Sequence, residues 1–308
     1  MLLVYPPHDL ELMLKLSLPV LFVINGLIST TMMLLNKTIA SDFPFPLTTV
    51  ITQNLVALIL TIALVLVNNN AMKRPTLKHV VRSLPGTCLF SVLLLMGMSS
   101  MQFASLPILS VCSNFRPLTT AVLEFVLYGR RSSTGQLWGL LLLGSGLFLT
   151  INGVSGDELV GIGFALVHTV LTSLFAVTDS KLMGQVKSEQ TPLGVNAVRL
   201  VISEIIMMCA RVVIEPVAVF QALSTKSTIL LLASGSVCLL AGTFLFEVRK
   251  VASATSIQVA NICSKLATTL ISLITHGDFP PVIAWTGYGA SMLGVMIYYT
   301  IDVGPKYK

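Results

Sequence analysis

Long apolar runs, separated by short polar breaks, constrain this chain more than any other feature of its sequence. Two of the breaks read "NNNAMKRPTLKH" (residues 68–79) and "GRRSSTG" (residues 129–135). Several of the runs approach or exceed the roughly 18–20 apolar residues that cross a ~30 Å hydrocarbon layer. A segment in hydrocarbon must satisfy its backbone hydrogen bonds internally, as a helix does. The runs therefore predict an all-α polytopic membrane protein.

The composition excludes a soluble domain of the same length. Of the 308 residues, 54% are hydrophobic and 10% are charged, whereas soluble domains carry roughly 25% charged residues. A soluble fold of this size could not bury so much apolar surface. The first residues, "MLLVYPPHDLELM", lack a basic segment followed by an apolar one, so we expect no cleaved signal peptide.

The apolar runs resolve into ten predicted transmembrane helices that form two halves of five. We expect a cytosolic N-terminus at 1–15, a first five-helix repeat at 16–152, a second at 153–301 and a cytosolic C-terminus at 302–308. The predicted helices lie near 16–36, 46–67, 86–106, 108–128, 136–152, 159–180, 193–214, 228–246, 253–275 and 282–301.

Basic residues indicate the orientation of these helices. Most of them follow even-numbered predicted helices or lie at the termini, as Arg130 and Arg131 do after the fourth and Arg249 and Lys250 after the eighth. Loops rich in Lys and Arg stay in the cytosol, so both termini are predicted to be cytosolic. This topology explains the net charge of +6, and we predict no nucleic-acid partner.

A short internal repeat supports an inverted 5+5 arrangement. The fourth predicted helix contains "NFRPLTT" (residues 114–120) and the ninth contains "CSKLATT" (residues 263–269), so a cation is followed three and four residues later by two threonines in each. Halves with an odd number of helices must be inverted relative to each other, and transporters built in this way bind substrate near the membrane midplane. The small-residue segments "GLLLLGSG" and "GYGASMLG" predict close packing of the fifth and tenth helices.

The two cations of the repeat are the principal candidate site residues. Arg116 and Lys265 each have hydroxyls on the same helix face, and together they suit an anion of about two charges, such as a diphosphate. Lys265 lies in mid-span without a neighbouring carboxylate, which favours a functional role. Arg116 has two structural alternatives: it could pair with Glu124, or it could extend its side chain to the membrane surface.

Other polar residues at membrane depth complete the predicted substrate site. Asn196, Asn261 and Ser264 are expected to contact base or sugar, and Asn25 and Thr269 are further candidates; the amides could equally join helices. Arg199 lies five residues before Glu204, and structural pairing is the favoured interpretation of these two. No catalytic, nucleotide-hydrolysing or metal-binding motif is present, so we predict no enzyme, no metal site and no cofactor.

These segments resemble the nucleotide-sugar transporters of the drug/metabolite transporter superfamily. "NFRPLTTAVLEFVLYGRR" resembles their helix-4 block in carriers of UDP-N-acetylglucosamine and UDP-glucuronic acid, and "SATSIQVANICSKLATTLISLITHGDF" resembles their helix-9 block. In "TPLGVNAVRL" only Asn196 matches the helix-7 block, with Val195 in place of an aromatic residue. GDP-mannose carriers have "GALNK" where this chain has "NICSK", so only Lys265 is shared.

The resemblance implies a ten-helix antiporter that exchanges a cytosolic nucleotide sugar for a luminal nucleoside monophosphate by alternating access, in the Golgi or the endoplasmic reticulum. In this family the lysine matched by Lys265 holds phosphate. A UDP-sugar is the preferred substrate. A GDP-sugar carrier, an exchanger of sugar phosphates or other organic anions, and a non-transporting membrane scaffold stay open as alternatives. Membrane lipid is an expected partner, and a homodimer is possible.

Overall fold

A computed structural model describes residues 18–68, 72–73, 75–129, 132–152, 156–186, 191–215, 224–251, 254–276 and 282–301. In these ranges the chain is almost entirely α-helical and has no strand. The predicted cytosolic termini, 1–15 and 302–308, lie outside the described residues. The all-helical class predicted from the sequence is confirmed, whereas the 5+5 arrangement stays a prediction.

Eleven helices follow one another along the described residues. They are α1 (Leu18–Asp42), α2 (Pro46–Val67), α3 (Leu77–Phe103), α4 (Leu106–Asn114), α5 (Arg116–Tyr128), α6 (Thr134–Asn152), α7 (Gly156–Val186), α8 (Pro192–Ile214), α9 (Thr225–Val251), α10 (Ala254–His276) and α11 (Val282–Ile301).

The extra helix arises because the fourth predicted helix is interrupted at Phe115. Pro117 has no N–H with which to continue the helical ladder, and the Phe115 N–H bonds instead to the Cys112 carbonyl at 3.1 Å. The predicted start of the third helix at residue 86 is wrong, because α3 begins at Leu77 and runs through Pro85 without ending. A proline side chain can be accommodated in a long membrane helix where neighbouring groups satisfy the freed carbonyl.

Six of the described helices are long and apolar enough to cross a membrane. Their spanning segments are Val20–Asp42, Pro46–Val67, His79–Phe103, Thr134–Ile151, Glu158–Ala176 and Thr225–Phe244. Large apolar side chains also point outward, as Val212 (86% exposed) and Ile274 (85% exposed) do. Such side chains suit a hydrocarbon solvent, which carries no penalty for apolar contact.

The helices group into two compact units, and each unit takes residues from both halves of the sequence. The first unit draws on 1–95 and 178–253, and the second on 96–177 and 254–308. In the first unit α9 packs against α1 and α2, while α2 also packs against α8. Its apolar contacts include Ala57, Leu200 and Leu239, one from each of α2, α8 and α9.

A carboxylate joins the end of α8 to the start of α2 in the first unit. Glu215 is the C-cap residue that directly follows α8. Its carboxylate accepts hydrogen bonds from the backbone N–H groups of Leu47 (2.7 Å) and Thr48 (3.0 Å). The Thr48 hydroxyl donates to the same carboxylate and accepts from Arg211 Nε at 3.0 Å. Glu215 thus satisfies free donors of the first turn of α2 and places a negative charge at the positive end of the helix dipole.

In the second unit, α6 and α11 pack with their backbones in direct contact. The two small-residue segments meet there, so the predicted close packing is confirmed. A Cβ placed on Gly146 would lie 2.5 Å from both the Gly287 carbonyl oxygen and the Ser291 nitrogen. A Cβ on Gly294 would lie 2.5 Å from the Leu143 nitrogen. Only glycine permits this approach, because any side chain would overlap the backbone of the other helix.

We predict that Gly146→Ala destabilises the protein, because the new methyl group would force α6 and α11 apart. Overpacking of this kind costs about 1–3 kcal/mol and occasionally more. The matched control is Gly144→Ala on the same helix, since a Cβ at Gly144 meets nothing within 4 Å. Thermal unfolding in detergent should give a lower midpoint for Gly146→Ala than for Gly144→Ala. Equal midpoints for the two variants would contradict the packing described.

Candidate functional site: the polar cluster around Lys265

The Lys265 side chain lies in the second unit and bonds to a neutral amide. Its Nζ donates to Asn114 Oδ1 at 2.7 Å, so α10 is tied to the end of α4. Asn114 is buried with 1% of its surface exposed. In the part of the chain that the structure describes, no carboxylate lies within ion-pairing distance of Lys265. The hydrogen-bond partner of Lys265 is therefore an uncharged amide.

The Asn114 amide is held in the orientation that Lys265 requires. Its Nδ2 donates to Ser291 Oγ at 3.3 Å and contacts Met292 Sδ at 3.1 Å, both on α11. A rotation that exchanged Oδ1 and Nδ2 would set an N–H donor against the ammonium, which has donors only. Lys265 on one side and Ser291 on the other thus fix the amide, and α4, α10 and α11 share one hydrogen-bonded chain.

A second set of hydroxyl contacts lies one helical turn away. Thr269 Oγ1 donates to Ser110 Oγ at 3.3 Å and lies 3.2 Å from the Tyr288 hydroxyl. Thr269 follows Lys265 by four residues and Ser110 precedes Asn114 by four, so both pairs lie on matching faces of α10 and α4. Trp285 packs edge-on against the Tyr288 ring at 5.9 Å. We call the set Lys265, Asn114, Ser110, Thr269 and Tyr288 the Lys265 cluster.

Arg116 is the first residue of α5, in the same unit. Its positive charge interacts electrostatically with the Lys265 side chain. Its backbone carbonyl accepts from the hydroxyls of Thr119 (3.0 Å) and Ser173 (3.4 Å). The break before Pro117 therefore sets the position of the Arg116 side chain relative to α4. The alternative in which Arg116 pairs with Glu124 concerns a side chain outside the described residues.

The structure brings together some of the predicted site residues and separates others. Lys265, Arg116 and Thr269 belong to the second unit, as do Ser264, which is buried, and Asn261, which is half-buried. Asn25 and Asn196 belong to the first unit, where both are buried. A Cβ on Gly242 would lie 3.0 Å from Asn196 Nδ2, so this amide packs closely against α9.

The threonines of the internal repeat do not act alike. The Thr119 hydroxyl bonds to the Arg116 carbonyl, and the Thr268 hydroxyl bonds to the Ser264 carbonyl at 2.9 Å. Both hydroxyls therefore donate to a backbone carbonyl of their own helix. Thr269 alone among these three bonds to side chains of the cluster.

Sequence reasoning missed Asn114, Ser110 and Tyr288. Asn114 stands two residues before Arg116, and Ser110 precedes it by the same four-residue spacing that separates Lys265 from Thr269. This matched spacing was a usable signal. Tyr288 lies inside the glycine-rich segment of α11 that was interpreted for packing alone, and nothing in the local sequence indicates its contact with Thr269.

Comparison with known proteins supports the interpretation of this chain as a transporter. Residues 17–152 match the EamA-like transporter family. No curated protein matches the chain. Among solved structures, 28 chains match. One of them is titled "Crystal structure of protein" and has 15% sequence identity to this chain and a TM-score of 0.60. The alignment covers 93% of this chain and 98% of that structure's chain. That similarity concerns the fold alone.

The family match concerns residues 17–152 and indicates a broad class for that part of the chain. EamA-like proteins are membrane transporters of the drug/metabolite transporter superfamily and not enzymes. Residues 17–152 thus carry an EamA-like transporter domain, and this domain indicates a multi-pass membrane transporter.

Proposed function

We propose that this protein is a nucleotide-sugar antiporter. It exchanges a cytosolic nucleotide sugar, preferentially a UDP-sugar, for a luminal nucleoside monophosphate by alternating access. We place it in the Golgi membrane, with the endoplasmic reticulum as the alternative, and with both termini in the cytosol. The EamA-like match of residues 17–152 supports the transporter class. The nucleotide-sugar substrate is proposed from the sequence resemblance together with the chemistry of the Lys265 cluster.

The single observation that carries this proposal is the neutral partner of Lys265. The Lys265 Nζ donates to the uncharged Asn114 carbonyl, and no carboxylate of the described residues pairs with it. The positive charge of Arg116 acts on it in addition. Ionisable groups within membrane helices are expensive and mark substrate paths, so a lysine whose described partner is a neutral amide favours a site whose ligand supplies negative charge.

A phosphate group matches this arrangement. An ammonium carries three donors, and a phosphate oxygen bonded to a cation makes a stronger hydrogen bond than a neutral carbonyl does. Arg116 would add a planar pair of donors suited to a second phosphate. We propose that Lys265 and Arg116 bind the diphosphate, with Thr269 donating beside them. Asn261 and Ser264, in the turn before Lys265, would contact the base or sugar.

The proposed inverted repeat has support from helix pairing within each unit. If residues 16–152 and 153–301 are repeats, then α2 corresponds to α8, α6 to α11, and α4 with α5 to α10. The pairs α2–α8, α6–α11 and α4–α10 each pack together within a unit. Contact between counterpart helices is consistent with the pseudo-two-fold relation of the repeats in inverted-repeat transporters.

We predict that Lys265→Ala reduces nucleotide-sugar exchange in proteoliposomes by at least tenfold, since a lost charge-assisted hydrogen bond is worth about 1.5–3 kcal/mol. Lys265→Arg should retain more activity, because it keeps the charge. The control is Lys226→Ala, whose exposed side chain pairs with Asp42 at 2.7 Å in the first unit. Near-normal exchange by Lys265→Ala would contradict the phosphate role.

A competition panel separates the alternative functions in the same assay. Inhibition by UMP supports a UDP-sugar carrier, and inhibition by GMP alone points to a GDP-sugar carrier. Inhibition by free sugar phosphates, without inhibition by either nucleotide, identifies a sugar-phosphate exchanger. A folded protein that exchanges nothing across the panel behaves as a membrane scaffold.

We predict that Asn114→Asp weakens nucleotide binding while the protein stays folded. The new carboxylate would form an ion pair with Lys265, and a phosphate would have to break that pair before binding. Because breaking a buried pair costs several kcal/mol, we expect at least a tenfold loss of affinity. Thermal-shift titration with UMP measures this loss, since ligand binding raises apparent stability.

The matched control for Asn114→Asp is Asn68→Asp, which makes the same chemical change at the residue that ends α2 in the first unit. Asn68→Asp should keep the UMP shift of the wild type. A full UMP shift in Asn114→Asp would show that Lys265 does not hold the phosphate.

A further inference from the structure

Glu204 is a buried acid that lies outside the Lys265 cluster, in the first unit. It is on α8, ten residues before that helix ends, and its side chain is only 6% exposed. Both carboxyl oxygens are shielded from solvent, and neither makes a hydrogen bond to any group in the described ranges. Neither oxygen therefore hydrogen-bonds to Arg199, which corrects the pairing expected from the sequence.

The geometry of α8 explains why the expected pair does not form. Residues three or four apart share a helix face, whereas five residues correspond to a rotation of about 140° around the axis. Arg199 and Glu204 are both buried, and this rotation places their Cα–Cβ bonds on different sides of α8. The pairing would have required the side chains to bend around the helix.

The helices packed against α8 bring no cation to Glu204 from their central turns. Helix α2 contains no ionisable residue. Its Asn54 lies beside Glu204, and the Asn54 amide donates to Ser203 Oγ at 3.4 Å. Helix α9 has Lys226 in its first turn and Cys238 in its middle. Its other ionisable residues lie near its end and have side chains outside the described residues: Glu247, Arg249 and Lys250. On α8 itself the others are Arg199, Cys209 and Arg211.

Glu215, in the same unit, provides a comparison because its carboxylate is fully hydrogen-bonded. Its two oxygens accept from two backbone N–H groups and one hydroxyl at the start of α2. Glu204 makes no hydrogen bond of this geometry in the described residues, and the one donor group placed beside it is the side-chain amide of Asn54. An ionised carboxylate without donors is very costly to bury, and such a group takes up a proton and becomes neutral instead.

We propose that Glu204 is a proton-binding site. In the conformation described, its carboxyl group holds a proton; when water reaches α8 during transport, the O–H bond breaks heterolytically, the proton passes to water and the carboxylate remains. The proton is thus a second ligand of the transporter. Proton binding at Glu204 stands independently of the proposed function, and only the coupling to exchange rests on it.

The first test detects the proton directly, by infrared spectroscopy of the full-length protein in lipid near neutral pH. A protonated carboxyl group has a C=O stretch distinct from that of a carboxylate, and it shifts in D₂O. We expect this band in the wild type, its loss in Glu204→Gln and its retention in Glu215→Gln. A wild type without the band, or a band unchanged in Glu204→Gln, overturns the proposal. Glu204→Asp, which keeps the acid, should show a displaced band if Glu204→Gln fails to fold.

The second test measures coupling in proteoliposomes that contain a pH-sensitive dye. We expect wild-type nucleotide exchange to respond to an imposed pH gradient and Glu204→Gln exchange to be insensitive to it, because an amide cannot release this proton. Wild-type exchange that is indifferent to the gradient overturns the coupling. If no nucleotide is exchanged at all, the proposed function fails, while the infrared result still decides whether Glu204 binds a proton.

Discussion

Hydrocarbon cannot form hydrogen bonds with a peptide group, and the rest of this structure depends on that constraint. It forces the chain into helices, because only there is every interior N–H and C=O satisfied locally. Each polar side chain at membrane depth must likewise find its hydrogen-bond partner within the protein. The hydroxyls of Thr52, Thr61 and Thr87 return to the carbonyl four residues earlier. Other polar groups, such as Asn114 and Lys265, form contacts between helices, and these contacts define the candidate site.

Three ionisable side chains illustrate three responses to that constraint. Glu215 at the end of α8 is satisfied by the first turn of α2, so its charge contributes to the joint between the helices. Lys265 bonds to one neutral amide and to no carboxylate of the described residues, which is the basis for proposing an anionic ligand. Glu204 has both oxygens buried and makes no well-formed hydrogen bond within the described part of its unit. The first response is structural, and the other two are the basis of our proposals for a phosphate and a proton.

The sequence predicted features that depend on local chemistry and missed those that depend on distant partners. Apolar length and Gly/Pro breaks located most helices, and α11 begins and ends where the sequence indicated. The effect of Pro117 is also local, yet it was not anticipated, because a single proline can be absorbed by a long helix, as Pro85 is. Lys265 stood out as a charge in an apolar span. Its partner Asn114 is 151 residues away, and no local pattern specifies which of several buried amides will meet it.

The central claim is that Lys265 exchanges its bond to Asn114 for a bond to a phosphate. A structure of the full-length protein determined with UMP bound tests this most directly. Our account predicts a phosphate oxygen at about 2.7–2.9 Å from Lys265 Nζ, the length of a charge-assisted hydrogen bond, with the Asn114 contact lengthened or lost. A bound nucleotide whose phosphate lies away from Lys265, with the bond to Asn114 intact, would contradict it.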